Sequence, residues 1–236
     1  MTQMTVLSAR APQMALQKLF ASFGKATGHA VTASYGTVGA ISERVAAGEA
    51  ADVLILSPSA LAVLDRAVVA GSRADVARAG LAVCMRDGAT APDLTTPAAL
   101  TAALLAARSV SYSDPTAGGS AAAYFAKLLE RLGIADAVNA KAALGRNGHH
   151  VAELVADGTA ALGISFLSEL VAIKGVAIAG PLPATLQNYT VYAAAIAAAT
   201  TRRAEAGGLI DWLVRPDADA TWHAAGLEPV RGSAPR

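Results

Sequence analysis

Along this chain, short runs of consecutive apolar residues alternate with stretches whose apolar positions recur every three or four residues. TVLSA opens a first strand, and Met14, Leu16, Leu19, Phe20 and Phe23 then line one face of a helix expected to stop near Gly24. HAVTASYG reads as a second strand, VGAISERVAAGEA as a short helix ending at Gly48, and DVLILS as a strand buried on both faces. SPSALAVLDRAVVAG is expected to form one helix, capped by Ser57 or Ser59 and ended by Gly71. LAVCMRDG and the region ALTAALLAARSVSYSDP continue as strand, turn, helix and strand, and a further helix spans Tyr124 to Leu132 before Gly133. A polar loop with RNGHH leads into the VAELVADG helix and the LGISF strand; YTVYAAAIA, a helix at 204 to 214 and the Trp222 to Leu227 segment follow. Such alternation is the signature of an α/β protein with mainly parallel sheets.

Three turns interrupt this pattern in the same way: LSARAP at 7 to 12, SYGTVGAI at 34 to 41 and SYSDPTAGGSAAAYF at 111 to 125. Each follows an apolar strand, precedes a helical stretch and is rich in hydroxyls and glycine. The first N–H groups of a helix have no partner within it and the helix dipole favours negative charge, so such turns suit a small oxyanion or carboxylate. DPTAGGS lacks the Gly-Lys-Ser/Thr ending of a nucleotide phosphate loop.

Composition narrows the choices. The 236 residues, 54% of them hydrophobic, are enough for one large domain or two lobes and too apolar for disorder. With 19 basic against 18 acidic residues and no block of like charge, nucleic acid is not expected as a partner. The lone cysteine, Cys84 in LAVCM, reads as a buried small hydrophobe. MTQMTVLSAR has no signal-peptide pattern, so the chain as written is expected in the cytoplasm, or in the periplasm if a leader was removed. No stretch reaches about 18 uninterrupted apolar residues, so no membrane span is expected.

The ordered blocks SYGTVGAISERVAAGEAADVLILSPS, DPTAGGSAAAYFAKLLERLGI and VAELVADGTAALGISFLSEL resemble the molybdate-type substrate-binding proteins of ABC transporters. The likeness runs from about residue 5 to 228 and extends to the related aconitate isomerases. It implies a type II periplasmic binding-protein-like fold with two lobes and a ligand cleft between them. Lobe I would hold 1–82 and 193–236, and lobe II 83–192. Carried over by position, the likeness puts Ser8 at the first turn and Thr37 at the second, where Tyr35, immediately before the GTVG turn, and Val38 are further ligand candidates. Thr116, Gly118, Gly119 and Ser120 fall at the third turn, and Ser165 at the end of LGISF. A monomer is implied, paired with a membrane transporter component if exported, and no cofactor.

This chain departs from the molybdate pattern, which has a tyrosine after the "GI" strand where Phe166 stands. Arg10, two residues past Ser8, can grip a planar carboxylate through two parallel hydrogen bonds, which shifts the expected ligand towards an organic acid. An isomerase would need a base with a pKa near neutrality, and His149 or His150 is the candidate. The bland readings are helix caps for Ser8 and Thr37, a surface charge for Arg10 and a polar loop for the histidines. Glu153 and Glu169 read as solvated or capping side chains, and no metal site is expected, because no Cys, Asp or Glu stands at ligand spacing from the histidines. Three classes of function stand: an anion-binding protein serving a transporter, a cofactor-independent isomerase of an unsaturated tricarboxylate, and a cytoplasmic sensor.

Overall fold

The computed structural model describes residues 2–117 and 119–230. The chain begins with strand β1 (Gln3–Ala9), helix α1 (Gln13–Thr27), β2 (Ala30–Gly36), α2 (Val38–Ala46), β3 (Val53–Leu56) and α3 (Pro58–Val63). Next come β4 (Ala74–Arg86), α4 (Pro97–Ala106), β5 (Val110–Ser113), α5 (Ser120–Arg131), α6 (Ala135–Asn139) and β6 (Ala142–Gly145). The last third holds α7 (Gly148–Ala156), β7 (Leu162–Phe166), α8 (Leu167–Leu170), β8 (Val176–Pro181), β9 (Tyr189–Ile196), α9 (Arg203–Val214), α10 (Asp219–Ala224) and β10 (Glu228–Pro229).

The chain divides into two compact units, one of residues up to Ala79 together with those from Val191 on, the other spanning Gly80–Thr190. In the first unit β1 lies between β2 and β3, both parallel to it, and β9 closes antiparallel on β3. β10 pairs antiparallel with the start of β4. α1 presses Leu16, Leu19, Phe20 and Phe23 into this unit's core, where Trp222 is fully buried and its indole N–H donates to the Leu213 carbonyl at 3.1 Å.

In the second unit β5 is parallel to β6 and β7, and the latter half of β4 runs antiparallel to β7 and β8. The α/β class and the parallel centre of each unit therefore match the alternation in the sequence. The core here combines Phe125 and Tyr112, ring centroids 5.2 Å apart, with a cluster of Ala82, Cys84, Val151, Val155 and Leu170. Gly163 permits this packing, since a Cβ there would come within 2.8 Å of Cys84 Sγ and of Val155. Burial pushes the Cys84 thiol up to about 12, so it stays a neutral, small apolar filler.

Several element boundaries differ from those expected: α5 starts at Ser120 rather than Tyr124, α7 takes in Gly148, His149 and His150 of the expected loop, and two further differences have an evident physical cause. α1 does not stop at Gly24 but continues to Thr27, because the residue that adopts the left-handed conformation needed to end it is Gly28, at φ 75°. The stretch from Ser57 to Gly71 is not one helix. α3 ends at Val63, a 3-10 turn covers Asp65–Ala67, and Val68 turns extended at φ −125°. Val68 then bridges Ala197 while the Val69 amide donates to Ile196 O at 2.8 Å. Pairing with the end of β9 outweighs continued helix, which β-branched Val63, Val68 and Val69 favour little in any case.

Candidate functional site

In the first unit the singled-out residues gather at the carboxyl ends of β1 and β2, the side of a parallel sheet where ligands of α/β proteins commonly bind. Ser8 and Tyr35 stand opposite each other in the register of the two strands. Ser8 is fully buried and its hydroxyl donates to the Ala9 carbonyl at 2.8 Å. Arg10 follows directly, its carbonyl accepting from Gln13 N at 2.9 Å as the chain turns into α1.

Among the described residues, six buried side-chain polar atoms of this unit have no hydrogen-bond partner: Arg10 Nε, Gln13 Oε1 and the Tyr35 hydroxyl near these strand ends, and His29 Nδ1, Asp75 Oδ1 and Arg215 Nε. Orphaned groups of this kind are uncommon, because each forfeits its hydration without recompense. Burial pushes the Tyr35 phenol up to about 12, so it is a neutral donor at any physiological pH. A cationic N–H and a phenolic O–H left unpaired are what an anion would satisfy. Tyr35 also borders a groove of about 490 Å³ along α1 and β2, together with Gln17, Phe20, His29 and Thr32.

Thr37 caps α2, its Oγ1 accepting from Ala40 N at 3.2 Å, and Val38 is the first residue of that helix. The cap accounts for the acceptor side of the hydroxyl and leaves its proton available. Thr37→Ala is expected to lower stability by about 1 kcal/mol, and Thr37→Ser to retain it, as read from denaturant midpoints.

In the second unit Thr116 is tied into a local turn, both its amide and its hydroxyl donating to Asp114 Oδ1, at 2.8 and 2.7 Å. These bonds, the hydroxyl's first, hold the exposed Asp114 carboxyl below its ordinary value. Gly118 lies outside the described residues. Gly119 precedes α5, with open space where a Cβ would stand, and Ser120 begins the helix, its Oγ accepting from the Thr190 hydroxyl at 3.3 Å.

α7 starts at Gly148, with Asn147 as its cap: Asn147 Oδ1 accepts from His150 N at 3.0 Å. His149 and His150 are both half-buried on its first turn. The His150 ring accepts from the Arg146 amide at Nδ1, 3.1 Å. In its neutral form that ring therefore carries its proton on Nε2 and acts outward as a donor.

Ser165, near the end of β7, is buried, and its hydroxyl donates to Glu169 Oε2 at 2.9 Å. Glu169, which the sequence reads as a solvated or capping side chain, is only 7% exposed. The reason is tertiary: α8 folds it back under β7, and Gly148 closes over it so tightly that a Cβ there would lie 2.1 Å from Glu169 Oε2 and 2.3 Å from Ser165 Oγ. Ser165, Glu169 and Gly148 at the head of α7 thus form one cluster. The only sequence signal for it was a glycine immediately before the histidines. Ser111 and Ser168 add buried hydroxyls without partners to the same unit. Glu153, by contrast, is exposed as expected.

Among the described residues, no three His, Cys, Asp or Glu side chains are grouped as metal ligands, and no helix is long and apolar enough to cross a membrane. A family model described as bacterial extracellular solute-binding protein matches residues 4–228. An aconitate isomerase from Pseudomonas sp is 33% identical over 240 residues, covering 97% of this chain and 88% of that protein. The periplasmic molybdate-binding protein of Azotobacter vinelandii superposes with a TM-score of 0.79 at 25% identity, over 98% of this chain and 100% of that one. The substrate-binding domain of a putative molybdenum ABC transporter from Clostridium difficile has the same TM-score at 16% identity, over 98% and 100% of the two chains, a likeness of fold alone. With a family model matched over nearly its whole length, this chain belongs to the bacterial extracellular solute-binding proteins.

Proposed function

We propose that this protein binds a small organic polycarboxylate and shifts the double bond of an aconitate-class tricarboxylate. The observation that carries the reading is the buried guanidinium Nε of Arg10, which has no partner in the protein and is suited to a carboxylate. The 33% identical relative that is an aconitate isomerase supports it over a tetrahedral oxyanion.

The chemistry is a balanced proton shift. A base removes a proton from the methylene carbon beside the double bond, the electron pair moves across the allylic unit, and the same proton equivalent returns to the far carbon. The intermediate places extra charge on the carboxylates, which cationic and N–H donors stabilise. In this scheme Arg10 and Tyr35 are the carboxylate donors of the first unit, and the base is one of the histidines, His149 or His150, at the head of α7. No cofactor is required by these steps.

The test is to incubate the protein with trans-aconitate and with cis-aconitate, following interconversion by ultraviolet absorbance or proton NMR. Turnover lost in His149→Ala or in His150→Ala, with ligand-induced thermal stabilisation retained, is the expected result. Full activity in both His149→Ala and His150→Ala would remove the histidines as the base. A second reading, capture without turnover for a membrane transporter component, is favoured by one observation: the His150 Nδ1 lone pair is already engaged by the Arg146 amide. Tight binding of a carboxylate or of molybdate with no interconversion would establish it, with the protein then acting outside the membrane.

A further inference from the structure

The head of α1 carries a polar group that the proposed carboxylate site leaves unused. Gln13 is the first residue of that helix, and its backbone N–H donates to the Arg10 carbonyl at 2.9 Å, so the two residues close one turn. Gln13 Oε1 is buried without a hydrogen-bond partner, as are Arg10 Nε and the Tyr35 hydroxyl. The helix repeat shows where this side chain lies. Gln13, Gln17, Ala21 and Gly24 share one stripe of α1, and the last three line the groove that Tyr35 borders at the end of β2. Gln13 continues that stripe one turn further, towards Arg10 and the carboxyl ends of the strands.

The three orphaned atoms differ in kind. Arg10 Nε–H and Tyr35 O–H are donors, and a carboxylate satisfies both. An amide oxygen is an acceptor, which an ionised carboxylate leaves unpaired. We infer that Gln13 is a specificity-determining residue that reads a hydroxyl on the ligand's carbon skeleton, which makes hydroxy-polycarboxylates the preferred ligands of this site. This role rests on the proposed reading of Arg10 and Tyr35 as carboxylate donors. With a carboxylate on those two groups, a ligand hydroxyl donates its one proton to Gln13 Oε1, and each of the three atoms then has a partner. A polycarboxylate without the hydroxyl, aconitate included, leaves Oε1 as bare as in the empty protein. Saturated hydroxy acids have no allylic proton to move, so they occupy the site without turnover and compete with an unsaturated tricarboxylate.

Citrate and tricarballylate share a carbon skeleton and three carboxyls and differ by one hydroxyl. Each is titrated calorimetrically into the intact protein in metal-free buffer at about pH 8, where the carboxyls of both are ionised. Citrate is expected to bind about tenfold tighter or more. Gln13→Met keeps the length and helix propensity of the side chain, and its thioether is at most a weak acceptor. In that variant the two affinities are expected to lie within about twofold of each other, through loss of citrate binding alone. Circular dichroism and melting establish that it is folded.

Equal affinities for the unaltered protein would overturn the inference, and this comparison stands even if Gln13→Met does not fold. So would a citrate preference that survives in the folded variant. An equal loss of both ligands in Gln13→Met also overturns it, because the amide would then be donating to a carboxylate. Tricarballylate that binds as well as citrate leaves the carboxylate reading intact, whereas failure of both to bind removes that reading and the role of Gln13 together.

Discussion

Asp52→Ala is expected to destabilise the first unit by about 3 kcal/mol, measured by urea denaturation at pH 7. Asp52 sits immediately before β3 and is 4% exposed. Its Oδ2 accepts from the Thr5 amide of β1 at 2.8 Å, and its Oδ1 accepts from the Thr200 hydroxyl and, at 3.3 Å, from Arg202. One carboxylate therefore joins β1 to the segment that leads from β9 into α9, across 148 residues of sequence between Asp52 and Thr200. Alanine would strand the Thr5 amide and the Thr200 hydroxyl. Arg202 would lose less, since its side chain is 45% exposed and can rehydrate.

The same carboxylate sets a pH dependence whose sign follows from its environment. Burial opposes its charge, but the hydrogen bonds from Thr200, Thr5 and Arg202, with the Arg202 charge, outweigh burial and hold the pKa below the ordinary value of 3.8. A depressed folded pKa means the unfolded chain binds the proton more readily. The contribution is therefore complete above the unfolded pKa and is lost as pH falls from there through the lower folded value. The stability gap between the native protein and Asp52→Ala should hence be constant from pH 7 to about 5 and narrow below about 4. A gap that stays constant down to pH 2.5 would remove the titration of Asp52 as its source.

Periodicity made most of the fold legible, and what it missed was decided by contacts between distant segments. The apolar face of α1 showed in Leu16, Leu19 and Phe23, but nothing local distinguishes Gly24 from Gly28 as the terminator; only the second adopts the left-handed backbone. Val68 and Val69 continued a helical pattern until the end of β9 offered them strand pairing. Of the candidate site, the hydroxyls and Arg10 stood out because they follow strands at turns. Asp52 and Glu169 did not. A carboxylate beside an apolar run reads as a solvated end unless the partners that bury it are known, and here these are Thr200 in one case and Gly148 with Ser165 in the other.

Arg10→Ala should weaken tricarboxylate binding by about 2 kcal/mol, roughly thirtyfold, while leaving the unliganded protein as stable as before or slightly more so. The two signs come from one fact. Arg10 Nε is buried with no partner, so in the empty protein it carries a desolvation cost that nothing offsets, and deleting it removes that cost. With a carboxylate bound, the same atom gains a charge-assisted hydrogen bond in a poorly screened place, and deletion forfeits it. Arg10→Lys should recover only part of the affinity, because an ammonium keeps the charge but not the planar pair of donors. Titration calorimetry with trans-aconitate, alongside melting of the unliganded variants, reads both effects. Lower stability together with unaltered affinity would make Arg10 a structural charge and move the carboxylate site elsewhere. The predicted opposition of the two effects separates a residue kept for its ligand from one kept for the fold.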